Sequence, residues 1–352
     1  MRAVIAGVMS FVWPAGLLAQ QVERYTLVGD EVAIYNLAGQ VRVEPSQSGV
    51  VVEVTRGGAA AAQLRVAQGE LDGRETLRVI YPSDDIVFPT SGGNSSAQLR
   101  VHEDGTFGDD EHGWNHHERG RRVSIKGAGS GLEAHADLRV QVPKGQRTWV
   151  HLAVGAVSVT NVDGELHVDA YNASVTASGI RGDTDLDVGS GSAQVTGAEG
   201  DLHVDTGSGP VEVARFQGGR LLIDTGSGGV TGSELQAQKL SIDTGSGDIK
   251  LTGVSASSLA LETGSGSVTA DIRGSLESLD VETGSGDVAI KAPPSLGAEV
   301  DIETSNGGIE SDFPMQVTER SPDHVTGRIG DGRGKIAIET GSGEIRLIKN
   351  SN

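Results

Sequence analysis

Seven copies of one acidic turn, spaced almost evenly, constrain what this chain can fold into. DTGSG begins at Asp205, Asp224 and Asp243, ETGSG at Glu262, Glu282 and Glu339, and ETSNG at Glu303. The first three intervals are 19 residues, the next two are 20 and 21, and the last is 36. Apolar and polar residues alternate on both sides of each turn, as in Leu240, Ile242, Ile249 and Leu251 around Thr244–Gly247. Alternation marks a half-buried strand and the Gly-rich four mark a turn. A fixed period built of strands and turns predicts a solenoid, in which no repeat buries its apolar face alone.

The columns of such a stack can be read directly. One holds Val204, Ile223, Ile242, Leu261, Val281, Ile302 and Ile338; the other holds Val211, Val230, Ile249, Val268, Val288, Ile309 and Ile345. Partners within a repeat are always seven residues apart. The spacing predicts an all-β, right-handed parallel β-solenoid with rungs of 19–20 residues. About ten rungs from Val150 to Leu347, at about 4.8 Å each, make a rod roughly 50 Å long. Gly207, Gly226, Gly245, Gly264, Gly284 and Gly341 are expected to supply corners with positive φ. The threonines from Thr206 to Thr340 are expected to form a hydroxyl ladder.

The seven-residue pairing extends back through Val168 and Val175, Val150 and Val157, and Ile34 and Val41, so the solenoid is expected to begin near residue 30. Three segments follow: a signal peptide over 1–19, a β-rich solenoid start over 20–147, and regular repeats over 148–352. The second contains strand-like runs at Val50–Thr55, Thr76–Tyr81, Gln98–Val101, Arg122–Lys126 and Ala136–Val142, and a polar, His-containing surface excursion over 82–121. The interval of 36 is read as a missing or looped-out rung, with Pro314 and Pro322 marking irregular chain.

The first 19 residues carry Arg2, an apolar run from Ala3 to Leu18 broken by Pro14, and small residues before a cut expected after Ala19. That is the pattern of a secretory signal, too short and too interrupted for a membrane span. No later stretch is apolar for long enough to span. Secretion to a periplasm or cell surface is expected. With no cysteine, the exported chain would rely on packing and hydrogen bonds. A net charge of −20 and the lack of a basic cluster exclude nucleic acid and charge-driven binding to anionic membranes.

The run Leu221-Leu-Ile-Asp-Thr-Gly-Ser matches the active-site signature of aspartic proteases. That chemistry needs two Asp carboxylates sharing a proton. Here Glu replaces Asp in several of the near-equal copies and no pair is privileged, so a protease is excluded. Aromatics make up 3% of the chain, too few for the sugar-stacking face of a polysaccharide-acting solenoid enzyme.

Val142-Pro-Lys-Gly145 as a lead-in, followed by the repeated T-G-S-G, resembles the bacterial putative-adhesin family over residues 22–349. The resemblance implies a secreted, non-enzymatic β-solenoid, similar to autotransporter adhesin heads. No C-terminal barrel is expected, since the sequence ends at Asn352. The function expected is a surface or envelope binding module for a carbohydrate, a protein or a second copy. A structural envelope element without specific ligand is the alternative, and a polysaccharide-acting enzyme a further one.

Two groups are candidate metal ligands. His102, His112, His116 and His117 cluster with Asp109, Asp110 and Glu111 in a Gly-rich stretch, where imidazoles would suit Zn, Ni or Cu or the stretch is a solvated polar loop; Trp114 is expected to pin this loop to the rod. Asp205, Asp224, Asp243, Glu262 and Glu282 should form an outward acidic ridge, with Arg220, Lys239 and Lys250 neutralising part of it. Such a ridge could bind Ca²⁺ weakly through oxygen ligands, or be screened by water and salt.

Overall fold

The computed structural model describes residues 22–89, 96–108 and 120–350. These residues form a parallel β-solenoid. Strands Val211–Thr225, Val230–Thr244 and Ile249–Thr263 stack in register, so that Leu221, Leu240 and Leu259 form one column and Ile223, Ile242 and Leu261 the next. The alternation seen in sequence is the alternation of burial: Leu240, Ile242 and Thr244 face the core, while Asp243 is exposed and Ser241 only partly covered. No α-helix occurs among the described residues, and none of their helices is long and apolar enough to cross a membrane.

The turn glycines do not serve as positive-φ corners. The left-handed corner is another column: Asn161, Gly179, Gly197, Arg215, Glu234 and Gly253, with φ between 53° and 70°. The chain bends here, in mid-strand at Arg215, Glu234 and Gly253 and just past a strand end at Asn161, Gly179 and Gly197. In the turns, glycine is required by approach between rungs. A Cβ on Gly245 would lie 2.4 Å from the Gly226 carbonyl oxygen, and one on Gly247 2.0 Å from the Gly228 carbonyl oxygen. Both obstacles are backbone, so no side chain can move aside.

Nor do the threonines simply bond to one another. Thr206 does donate to Thr225 at 2.8 Å. Elsewhere each hydroxyl joins two turns: Thr244 Oγ1 accepts from Gly247 N at 3.0 Å and donates to the Gly228 carbonyl one rung back at 3.0 Å. Thr263 repeats the arrangement with Gly266 and Gly247. These threonines are buried, and the two hydrogen bonds of each hydroxyl satisfy a backbone donor and acceptor that the tight turn would otherwise strand.

The first rung is strand Glu31–Pro45, which pairs parallel with Arg147–Thr160, placing Ile34 on Val150 and Val41 on Val157. The intervening chain caps that end of the stack. Arg74–Ile80 and His135–Val142 each pair parallel with part of the first rung. Arg65–Leu71, Val50–Gly57 and Val22–Leu27 then close the outside in antiparallel pairs. Tyr81 and Asn36 tie the cap to the rung: the Tyr81 hydroxyl donates to Asn36 Oδ1 at 2.8 Å, and Asn36 Nδ2 donates to the Ala136 carbonyl at 2.7 Å. Asp85–Val87, Ser96–Val101, Arg121–Lys126 and Leu132–Glu133 form a separate four-stranded sheet, so the stretch over 82–121 carries strands of its own.

At the other end the rung order departs from chain order, and no rung is missing. Val281 pairs with Ile338, and Ile338 with Ile302. The last rung is thus inserted between the two that precede it. Thr340 donates to the Gly286 carbonyl at 3.0 Å and Thr304 to the Gly343 carbonyl at 3.1 Å, following the same order. The residues between are a hairpin, Met315–Arg320 with His324–Ile329, which folds antiparallel onto Ala298–Thr304 and covers its outer edge. Only the inner edge of that rung remains for Gly334–Thr340.

Candidate functional site

A cleft of about 1030 Å³ opens beside the first rungs. Its floor consists of two outward columns created by parallel register. Ala33, Trp149, His167 and Asp185 form one; Tyr35, His151, Asp169 and Asp187 form the other. The cap supplies the facing wall through Asp72, Arg74 and Thr76 and through His102–Thr106.

The floor is a set of stacked rings and ion pairs. Tyr35 lies flat on His151, with centroids 4.2 Å apart, and Phe107 meets Tyr35 edge-on at 5.9 Å. Trp149 stacks on His167 at 4.8 Å, and the Arg74 guanidinium lies 4.1 Å from the Trp149 ring centroid, a cation–π contact. Glu31 holds Arg74 at 3.3 Å. His151 Nδ1 is 3.2 Å from Asp169 Oδ2, while its Nε2 is buried with no hydrogen-bond partner.

One column continues as an alternating ladder. His203 Nδ1 is 3.1 Å from Asp185 Oδ1, and His167 Nδ1 is 3.6 Å from Asp185 Oδ2. The outer nitrogens also face carboxylates: His167 Nε2 is 3.0 Å from Glu165, and His203 Nε2 is 3.5 Å from Asp224. The imidazoles of His167 and then His203 hold the Asp185 carboxyl far below its ordinary value. Asp185 in turn raises His167, and raises His203 from 6.5 to about 8. The stability lent by His203 is therefore complete below pH 6.5 and lost as pH rises through about 8. That of Asp185 is present above 3.8 and lost as pH falls toward its lower folded value.

The other column continues as the acidic ridge, from Asp187 through Asp205, Asp224, Asp243, Glu262 and Glu282 to Glu339 and Glu303. The predicted members are all outward and exposed. The like charge of Asp243, then burial, then Glu282 and Asp280 raise the Glu262 carboxyl above its ordinary value. Arg220 pairs with Asp201 at 2.7 Å, beside the ridge. The ridge is a line of charge: among the described residues no group of three or more His, Cys, Asp or Glu is placed to hold a metal ion. His112, His116, His117 and Trp114 lie outside the described residues. Sequence reasoning passed over Tyr35, Arg74, Trp149, His151, His167 and Asp185. The 18-residue steps from Trp149 to His167, Asp185 and His203 were the available signal.

The fold and cleft define a parallel β-solenoid with a capped, aromatic- and carboxylate-lined groove at one end. Residues 84–348 match the family described as Toastrack DUF4097, and the chain belongs to it. A solved structure described as a putative cell adhesion protein from Clostridium sporogenes is similar at 9% identity, covering 94% of this chain and 99% of that one. Its TM-score of 0.22 is too low for the likeness to bear on fold or function. No curated protein matches the chain.

Proposed function

We propose that this chain is a secreted, non-enzymatic binding module of the cell surface or envelope, and that the cleft is its contact with a carbohydrate or protein partner. The cleft carries the reading: a chain with 3% aromatic residues places Tyr35 and Trp149 in its lining, Tyr35 backed by Phe107, among carboxylates and imidazoles. Arg74 and His167 occupy the Trp149 ring, so a partner meets carboxylates, hydroxyls and ring edges more than open ring faces. Hydroxyl- and amine-bearing groups suit that lining. Antiparallel strands cover both ends of the stack, and the outermost, Met315–Arg320, shifts register between Val317 and Glu319. Irregular edges resist strand addition, which favours a different partner over self-association through the ends.

The test is binding of the labelled full chain to a glycan array and to immobilised envelope fractions. Asp187→Asn with Trp149→Ala should weaken binding about tenfold or more, roughly 1.4 kcal/mol. Asp243→Asn with Glu262→Gln should leave it unchanged. Loss only in the ridge variant would move the contact to the ridge. Absence of binding to any surface would favour a structural envelope element, and turnover of a polysaccharide would make the chain an enzyme.

A further inference from the structure

We propose that the column His167–Asp185–His203 is a proton switch for the cleft floor: it holds the Asp185 carboxylate between two imidazolium rings while protons are bound, and frees it when they leave. This rests on the cleft being the binding element and concerns how that element is regulated. The three residues occupy one outward column on successive rungs. The two oxygens of a single carboxylate are taken by two different rings, at 3.1 and 3.6 Å. Each ring also meets a second carboxylate, Glu165 for His167 and Asp224 for His203. Each ring makes one hydrogen bond, His167 to Glu165 at 3.0 Å and His203 to Asp185 at 3.1 Å, and its other nitrogen lies within ion-pair distance of a second carboxylate, so two carboxylates flank each ring and favour its cationic form.

The surroundings reinforce this. Trp149 packs on His167 from the preceding rung, with Arg74 and Glu31 beyond it. Asp169, on the strand of His167, and Asp187, on the strand of Asp185, stand in the neighbouring column. Around His203 that column supplies Asp205 and Asp224, and Asp201 is paired with Arg220. Loss of the two protons removes two positive charges from a floor already rich in carboxylates. A cationic ligand therefore gains as pH rises, and an anionic one loses. Trp149 shares the event, because a protonated imidazole stacked on an indole quenches its fluorescence.

Histidine-ring NMR titration of the full chain tests this without any ligand, with signals assigned by their loss in His167→Gln and His203→Gln. His203 should titrate near 8 and His167 above 6.5. Asp185→Asn should bring both back toward 6.5. Trp149 emission, taken as the difference from Trp149→Phe, should rise through the His167 midpoint and lose that step in His167→Gln. Midpoints at or below 6.5 in the unmodified protein overturn the switch, even if Asp185→Asn does not fold. So do midpoints that a folded Asp185→Asn leaves unmoved. Failure on the glycan array would not alter these midpoints, so the switch and the binding reading can fail separately.

Discussion

Gly247→Ala should destabilise the protein by roughly 3 kcal/mol or more, at the upper end of overpacking effects, while Ser246→Ala, one residue away and exposed, should change little. The asymmetry follows from the stack. The added methyl would sit 2.0 Å from the Gly228 carbonyl oxygen of the adjacent rung, and parting the rungs there would break the hydrogen bond from Thr244 Oγ1 to that carbonyl. A positive-φ role would give a smaller alanine penalty of about 1 kcal/mol, mostly conformational. Denaturant midpoints of the two variants separate the explanations. A Gly247→Ala loss of about 1 kcal/mol or less would show that the rungs do not approach as described.

Ile242→Ala should cost roughly 2–5 kcal/mol, because a buried side chain is removed from a core that can close only partly. Ile242 is 1% exposed and lies between Ile223 and Leu261 in its column. Ser241→Ala, on the outward face, should be nearly silent. Equal thermal shifts in the two variants would place the strand in the wrong register, since a slip of one residue exchanges the faces.

Strand alternation and the seven-residue pairing were legible because burial repeats with the pleat and each rung repeats the last. Rung order at the C-terminal end was not. Val281, Ile302 and Ile338 are interchangeable as core residues, so only the hairpin that occupies the outer edge of Ala298–Thr304 decides which rung lies inside. The reason for the turn glycines was hidden for a related cause: the distance from Gly247 to Gly228 is a property of the stack, and a single turn does not contain it. The outward acidic ridge was visible because it needs only alternation. The cleft was not, because it joins residues distant in sequence. Tyr35 reaches His151 only because Glu31–Pro45 stacks directly on Arg147–Thr160, a strand more than a hundred residues further along the chain.

The cleft exists only if Glu31–Pro45 stacks on Arg147–Thr160, and a disulfide can read that contact directly. The chain has no cysteine of its own, and Arg42 lies opposite Ser158 in register. Neighbouring strands are about 4.8 Å apart, within the Cα span of a disulfide. Thr176 lies opposite Ser158 one rung further on, about 9.6 Å from Arg42 by the same spacing and beyond that span. Mild oxidation followed by peptide mapping should therefore find a near-complete intramolecular bond in Arg42→Cys/Ser158→Cys and none in Arg42→Cys/Thr176→Cys. A bond in the second protein, or no bond in the first, would contradict the stacking that builds the site.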